Sequence, residues 1–182
     1  MGIIKKQIAI FFDRDGVLNK PVVIKNKPYP PKSSKKVTIY AGLVNGIKKL
    51  KKKKLKVIVV TNQPDYERGQ TSKKNIKEIN SYIKKKLQIH KIYTCYDACN
   101  SSFFKKPNPG MIIQAKKDFN LNLKKSFIVG DTYKDIFAGK KMGLTTILVK
   151  KKYNLKYKKN SNICVNSTSD AIKKVLKIID AK

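Results

Sequence analysis

The sequence predicts a three-layer α/β domain built on a parallel sheet. Three observations carry that expectation. Short apolar runs alternate with longer stretches of helical spacing, as strand–helix–strand units do. The runs are continuously apolar, the pattern of strands buried on both faces. The chain has 182 residues, of which 41% are hydrophobic, enough for one domain over residues 1–182 with a core that needs neither disulfides nor a structural metal.

Each element has its own signal. Ile8-Ala9-Ile10-Phe11-Phe12 is apolar throughout and stops abruptly at Asp13, as a buried strand emptying into a loop would. Residues 19–38 contain Pro21, Pro28, Pro30 and Pro31 and read as an ordered but irregular excursion. Leu43, Ile47 and Leu50 lie at helical spacing within residues 42–54, and the lysine run 51–54 is a solvated helix end. Val57-Ile58-Val59-Val60 is a second buried strand, ending at Thr61-Asn62. Residues 72–87 predict a helix capped by Ser72, with Ile76, Ile79, Ile83 and Leu87 on one face. Ile92 to Cys95 is a short strand, and Asn108-Pro109 opens a helix over 108–118. Ser126-Phe127-Ile128-Val129 is a third clear strand, ending at Gly130-Asp131. A helix from Lys134 to Met142 follows, with Gly143 as its stop. Strands at Thr145–Val149 and Ile163–Val165 and a helix from Ser169 to Ile179 complete the chain.

Charge narrows the function classes. Lys and Arg number 43 against 11 Asp and Glu, a formal net charge of +32. Such a balance attracts anions in general. Only Arg14 and Arg68 are arginines, however, and the abundance of Lys, Asn and Ile together is what an A-rich genome produces. Nucleic-acid readers favour the arginine fork, and aromatics are not interleaved with the basic runs as a single-strand binder requires. Nucleic acid is therefore not the expected partner. Three cysteines, Cys95, Cys99 and Cys164, with no export signal, point to a reducing cytoplasm. The start of the chain, with Lys5 and Lys6, reads as a lead-in to the first strand. No apolar stretch reaches membrane-spanning length. A monomer is the expected state.

Three of the strands end in small polar clusters: Asp13-x-Asp15, Thr61-Asn62 and Gly130-Asp131. Ligands of open parallel sheets bind beyond the carboxyl ends of the strands, so the three clusters are expected to meet. Asp13 and Asp15, two residues apart, lean to one side of an extended chain and repel unless a cation or proton lies between them. Asp131 adds a third acid. Hard oxygen ligands of this kind suit Mg²⁺. The same group can run covalent phosphoryl transfer. Asp13 is the nucleophile and Asp15 the acid/base; Thr61 is a donor to the phosphoryl group, and Lys106 a balancing cation. A lone Asp-x-Asp-Gly is more often a turn; the weight lies in all the clusters sharing one sheet edge.

These residues resemble the four motifs of the haloacid dehalogenase-like hydrolase superfamily. The motifs are Phe12-Asp13-Arg14-Asp15-Gly16-Val17-Leu18-Asn19, Val60-Thr61-Asn62-Gln63, Lys105-Lys106-Pro107-Asn108-Pro109-Gly110-Met111 and the segment from Val129 to Gly139. Arg68-Gly69 and the Lys-Pro-x-Pro-Gly-Met segment are similar to the branch holding D,D-heptose 1,7-bisphosphate phosphatase and histidinol-phosphatase. The resemblance implies a Rossmann-like domain with little or no cap domain. It implies Mg²⁺ held by Asp13, the backbone carbonyl of Asp15 and Asp131, with Asp135 supporting the site. Asn62, Gln63, Arg68 and Lys105 are implied to contact a small phosphorylated substrate, foremost a heptose bisphosphate. Histidinol phosphate is second, and a nucleic-acid 3′-phosphatase is a different class that the charge would suit.

Two departures from the branch stand out. Many relatives hold a structural zinc in a Cys-x-His…Cys-x-Cys loop just before the third motif. Here Cys95-Tyr96-Asp97-Ala98-Cys99 leads into Asn100-Ser101-Ser102-Phe103-Phe104, and two thiolates with one carboxylate are a poor zinc set. No structural zinc is expected; Phe103 and Phe104 are the expected anchor, and His90 reads as a surface or capping residue. The second departure is at Pro21-Val22-Val23-Ile24, apolar where heptose enzymes are polar. Lys105 also stands where they carry a bidentate arginine.

Overall fold

A computed structural model of the chain describes residues 6–24 and 27–181; residues 1–5, with Lys5 of the lead-in, residues 25 and 26, and residue 182 lie outside the described residues. The strands are β1 (Ala9–Phe12), β2 (Val22–Ile24), β3 (Lys27–Tyr29), β4 (Lys56–Asn62), β5 (Lys91–Cys95), β6 (Phe127–Gly130), β7 (Thr145–Val149) and β8 (Ile163–Val165). The helices are α1 (Leu43–Lys52), α2 (Lys73–Leu87), α3 (Gly110–Phe119), α4 (Tyr133–Lys141) and α5 (Thr168–Asp180). Six strands form one sheet in the order β5-β4-β1-β6-β7-β8, with every pairing parallel.

The period-two alternation of a strand sends successive side chains to opposite faces, and β1 builds two cores in this way. Ile10 and Phe12 pack with Leu43, Ile47 and Leu50 of α1, Ile79 and Ile83 of α2, and Ile172 and Val175 of α5. Ala9 and Phe11 face Met111, Ile112 and Ala115 of α3 and Ala138 of α4. The three layers are thus α1, α2 and α5 on one side, the sheet, and α3 and α4 on the other. Ser72 caps α2 as expected, its side chain accepting from the Asn75 amide.

Two segments differ from the sequence expectation. Residues 19–38 are not merely irregular: β2 and β3 pair as an antiparallel hairpin, Val22 opposite Tyr29. Residues 152–160, without a periodic apolar pattern, form an extended 3₁₀ segment. The imidazole Nδ1 of His90 accepts from the Val57 amide at 3.0 Å, satisfying the first buried residue of β4.

Candidate active site

β1, β4 and β6 are neighbours, so their carboxyl ends gather Asp13, Thr61 and Asp131 at one edge of the sheet. The Asp13 amide continues the ladder by donating to the Val129 carbonyl at 2.9 Å. The chain then turns tightly through residues 14–19, closed by amide bonds from Gly16 to the Asn19 carbonyl and from Leu18 to the Arg14 carbonyl, both 2.8 Å. Gly16 has φ +87° and lies against Asp131, where an added Cβ would come within 2.0 Å of Oδ2. Glycine is required there on both counts.

Lys106 arrives from the loop between β5 and α3. Asn62 grips its backbone twice, accepting from its amide and donating to its carbonyl, each at 3.0 Å. The ammonium is buried and bonded to Asp13 Oδ1 at 2.7 Å, Asp135 Oδ1 at 2.6 Å and the Val60 carbonyl at 2.6 Å. Burial opposes its charge, but the two carboxylates outweigh burial and hold its pKa above the ordinary lysine value. Asp135 is fully buried, and its other oxygen accepts from the Thr132 amide and hydroxyl. Both oxygens of Asp135 are therefore engaged, and its role is to fix Lys106.

Asp15 sits in a different environment from Asp13. Arg14, fully buried, donates to Asp15 Oδ2 through Nη2 at 2.8 Å and Nε at 3.1 Å. Gln63 donates to the same oxygen and Asn19 to Oδ1, each at 2.9 Å. Burial works against the charged form of Asp15, yet Arg14 and these bonds prevail and lower its pKa. Arg14 is itself anchored by Asn80 of α2 at 2.8 Å. Sequence reasoning missed Arg14, although a signal existed. In a chain whose cations are almost all lysine, an arginine persists where its fork is needed.

The structure distributes the expected substrate contacts unevenly. Gln63 is buried and bridges Asp15 to Thr61 Oγ1, the latter at 2.8 Å; Thr61, as acceptor, keeps its own proton to donate. Asn62 is committed to Lys106. The Lys105 ammonium is buried on the Ala98 carbonyl and on Asn100 Oδ1, the latter at 2.9 Å. Lys105, together with Asn108 bonds to the Asn100 and Ser102 carbonyls, fastens the cysteine loop. Of the aromatic anchor expected there, Phe103 and Phe104 are 54% and 44% exposed and pair edge-to-face, while Phe103 also lies against Gly110, whose amide donates to its carbonyl at 3.0 Å. Arg68 lies on the rim of a cavity of about 520 Å³ that Asp13, Asp15, Thr61, Lys106 and Asp131 line, and the other expected contacts, Asn62, Gln63 and Lys105, line it too. Lys134, unnoticed in the sequence, lines it too; burial and then the Lys105 charge lower its pKa. An adjoining recess of about 600 Å³ shares Tyr29, Pro30, Gln63 and Asp65 and adds the apolar Val22, Ile76 and Ile79.

Carboxylate oxygens of Asp13, Asp131 and Asp135 lie within 4.8 Å of one another, the one such acidic cluster among the described residues. Asp131 Oδ1 is buried without a hydrogen-bond partner. Burial, then the charges of Asp13 and Asp135, raise the Asp131 pKa to about 8; burial raises that of Asp13 to about 6, against the pull of Lys106. An orphaned, proton-seeking carboxylate beside a second one lacks a cation, and a hard divalent ion fits this oxygen set. Asp13 and Asp131 are the side chains free to hold it.

Comparison with known proteins agrees with this geometry. A family described as polynucleotide kinase 3 phosphatase matches residues 7–168. A D-glycero-beta-D-manno-heptose-1,7-bisphosphate 7-phosphatase of Pasteurella multocida is 30% identical over 177 residues, covering 89% of this chain and 93% of the relative. The D-glycero-alpha-D-manno-heptose-1,7-bisphosphate 7-phosphatase of Photorhabdus laumondii is 31% identical over 147 residues, 74% of this chain and 77% of the relative. The fold is that of a D,D-heptose 1,7-bisphosphate phosphatase of B. bronchiseptica solved with magnesium and phosphate, at a TM-score of 0.81, 21% identity, and coverage of 94% of this chain and 99% of the other. With Asp13, Thr61 and Asp131 at the ends of the three central strands and these relatives beside them, the chain belongs to the polynucleotide kinase 3 phosphatase family, and it is a phosphatase.

Proposed function

We propose that the chain is a Mg²⁺-dependent phosphatase of a small sugar phosphate, a heptose 1,7-bisphosphate in the first place, working through an aspartyl-phosphate on Asp13. The observation that carries this reading is Asp13 itself. It faces the cavity between the Lys106 ammonium and Asp131, with Thr61 and Asp15 on the same wall. The relatives in Pasteurella and Photorhabdus support the substrate class by their names.

Asp13 and Asp131, with the Asp15 carbonyl, are the groups that hold Mg²⁺, and the ion when bound neutralises charge where anion meets anion. The remaining steps belong to the chain. An Asp13 oxygen attacks phosphorus, and the bond from phosphorus to the ester oxygen breaks. Asp15 delivers a proton to the departing alcohol. Its lowered pKa leaves it ionised in the free protein; the charge of an approaching phosphate dianion raises that pKa, so Asp15 takes up a solvent proton and holds it for the leaving oxygen. Asp15, now ionised, takes a proton from water as the water oxygen attacks phosphorus. The Asp13–phosphorus bond breaks, and inorganic phosphate leaves. Lys106 and the Thr61 hydroxyl stabilise the spread phosphoryl charge. Arg68 and Lys134, at the rim, receive the rest of the anionic substrate, and Lys105 supports them through the loop it fastens. The reading includes a monomer in a reducing cytoplasm, supported by three free cysteines. No helix among the described residues is long and apolar enough to cross a membrane.

The family description and the +32 charge favour a second reading, a nucleic-acid 3′-phosphatase. A screen of heptose bisphosphate, histidinol phosphate and 3′-phosphorylated oligonucleotides, with and without Mg²⁺, separates the two. Rapid phosphate release from the sugar bisphosphate is expected, and its loss in Asp13→Asn. Release from oligonucleotides alone would overturn the sugar assignment, and activity surviving Asp13→Asn would overturn the nucleophile.

A further inference from the structure

Asp131 has a partner that no motif contains. The 3₁₀ segment of residues 152–160 follows β7. Its Asn154 is buried and uses every polar group it has. Oδ1 accepts from the Lys151 amide at 2.8 Å, and Nδ2 donates to the Val149 carbonyl at 2.8 Å and to the Asp131 carbonyl at 2.7 Å. Asn154 thereby ties the segment to the end of β7 and to the backbone of Asp131 at once. Its neighbour Tyr153 then delivers a hydroxyl that donates to Asp131 Oδ2.

The two oxygens of Asp131 are made unequal by this contact. Oδ2 is taken by the Tyr153 hydroxyl and pressed against Gly16, where even a Cβ would not fit. Oδ1 is buried and has no partner. We infer that Tyr153 is a positioning residue for the metal site, leaving Asp131 a single free oxygen and so favouring a small divalent cation over a larger one. The reasoning rests on the Mg²⁺-dependent reading above and deepens it. Mg²⁺ takes few protein oxygens in near-octahedral order, whereas Ca²⁺ accepts six to eight and readily takes both oxygens of one carboxylate. A hydroxyl that occupies the second oxygen penalises the larger ion and orients the first for the smaller. Partners that orient a ligand from behind commonly govern metal affinity by about 10–100-fold.

The test is calorimetric titration of the metal-stripped full chain with Mg²⁺ and, separately, Ca²⁺. Wild type, Tyr153→Phe, Asn154→Ser and Tyr157→Phe are compared, with melting in chelator as the measure of fold. Tyr153→Phe keeps the ring and loses only the hydroxyl. Its Mg²⁺ dissociation constant is expected to rise about 10-fold while that for Ca²⁺ changes less, so the Mg²⁺ preference falls. Asn154→Ser keeps the hydroxyl but loosens the segment that delivers it, and shifts the preference the same way. Tyr157→Phe, on the same segment but packed on Tyr133, leaves both constants unchanged. A Mg²⁺ to Ca²⁺ ratio unaltered in both Tyr153→Phe and Asn154→Ser overturns the inference, including the case where both metals weaken equally as the melting temperature drops. A wild-type chain that binds neither ion overturns the metal-dependent reading and this inference with it, which is a distinguishable result.

Discussion

Lys106 lies between two acids, 2.7 Å from Asp13 and 2.6 Å from Asp135, nearly excluded from water. One cation thus organises a nucleophile and a buried carboxylate that would otherwise repel. Replacing it by a neutral isostere, Lys106→Met, leaves Asp135 buried and uncompensated, which costs about 3–5 kcal/mol of stability for a broken buried pair. Turnover is expected to fall about 100–1,000-fold, as when a single donor to transition-state charge is removed; urea denaturation and steady-state kinetics read the two effects. Asp131 allows a pH prediction. Its folded pKa is raised from 3.8 to about 8. Between those values the folded state keeps a proton that the unfolded chain releases. Metal-free stability therefore falls as pH rises through that window. In chelator, wild type is expected to melt lower at pH 8.5 than at pH 5.5 by a larger margin than Asp131→Asn does. Added Mg²⁺ is expected to raise the wild-type melting temperature at pH 8.5, because the cation replaces the proton. An equal pH response in both proteins would refute the assignment.

At the scale of elements, the site depends on β1 standing in register between β4 and β6. Ser126 helps set that register from just before β6. Fully buried, it accepts from the Ala9 amide at 2.9 Å and donates to the Asn122 carbonyl at 2.6 Å. Ser126→Ala strands the Ala9 amide and is expected to cost about 1–3 kcal/mol, measured by chemical denaturation, with a slower enzyme because Asp13 rides on β1. Elements such as β1, β4 and β6 were legible because an apolar run that stops at an acid or Thr-Asn is a local signal. The capped α2 was legible for the same reason. The β2–β3 hairpin was not, since each strand is three residues long and Pro28 sits within one. The 3₁₀ segment was not, since its residues make contacts through Asn154 and Tyr153 rather than through a periodic face. At the site, the acids, Thr61 and Lys106 could be read. Which of the lining residues also hold others in place could not. Asn62 and Gln63 line the cavity and also hold Lys106 and Asp15, a double duty set by bonds across more than forty positions of sequence.

Taken whole, the molecule is a cluster of acids at the bottom of a cavity in a strongly cationic body. Eleven acidic residues serve the entire chain, and Asp13, Asp15, Asp131 and Asp135 are gathered at one sheet edge. Lysines elsewhere are largely solvated, so their field acts at long range rather than through pairs. Salt controls that range, the screening length shrinking from about 30 Å at 0.01 M to about 8 Å at 0.15 M. A phosphorylated substrate is drawn to the chain at low salt, and kcat/KM is expected to fall several-fold across this interval while kcat holds, because chemistry occurs inside the cavity where Lys106 is shielded. The slope carries more information than the fall. A sugar bisphosphate meets the protein through one or two phosphates and gives a shallow dependence of log kcat/KM on log salt. An oligonucleotide lying along the lysine surface displaces a counterion for each phosphate it pairs, and its slope steepens by nearly one for each such contact. Measuring both slopes on the same preparation assigns the charge its role. A shallow slope for the sugar with a much larger kcat/KM at 0.15 M salt makes the lysines a general attractor. A steep slope with oligonucleotide turnover that exceeds the sugar's at that salt makes them a binding surface, and the catalytic pocket the end of a nucleic-acid track.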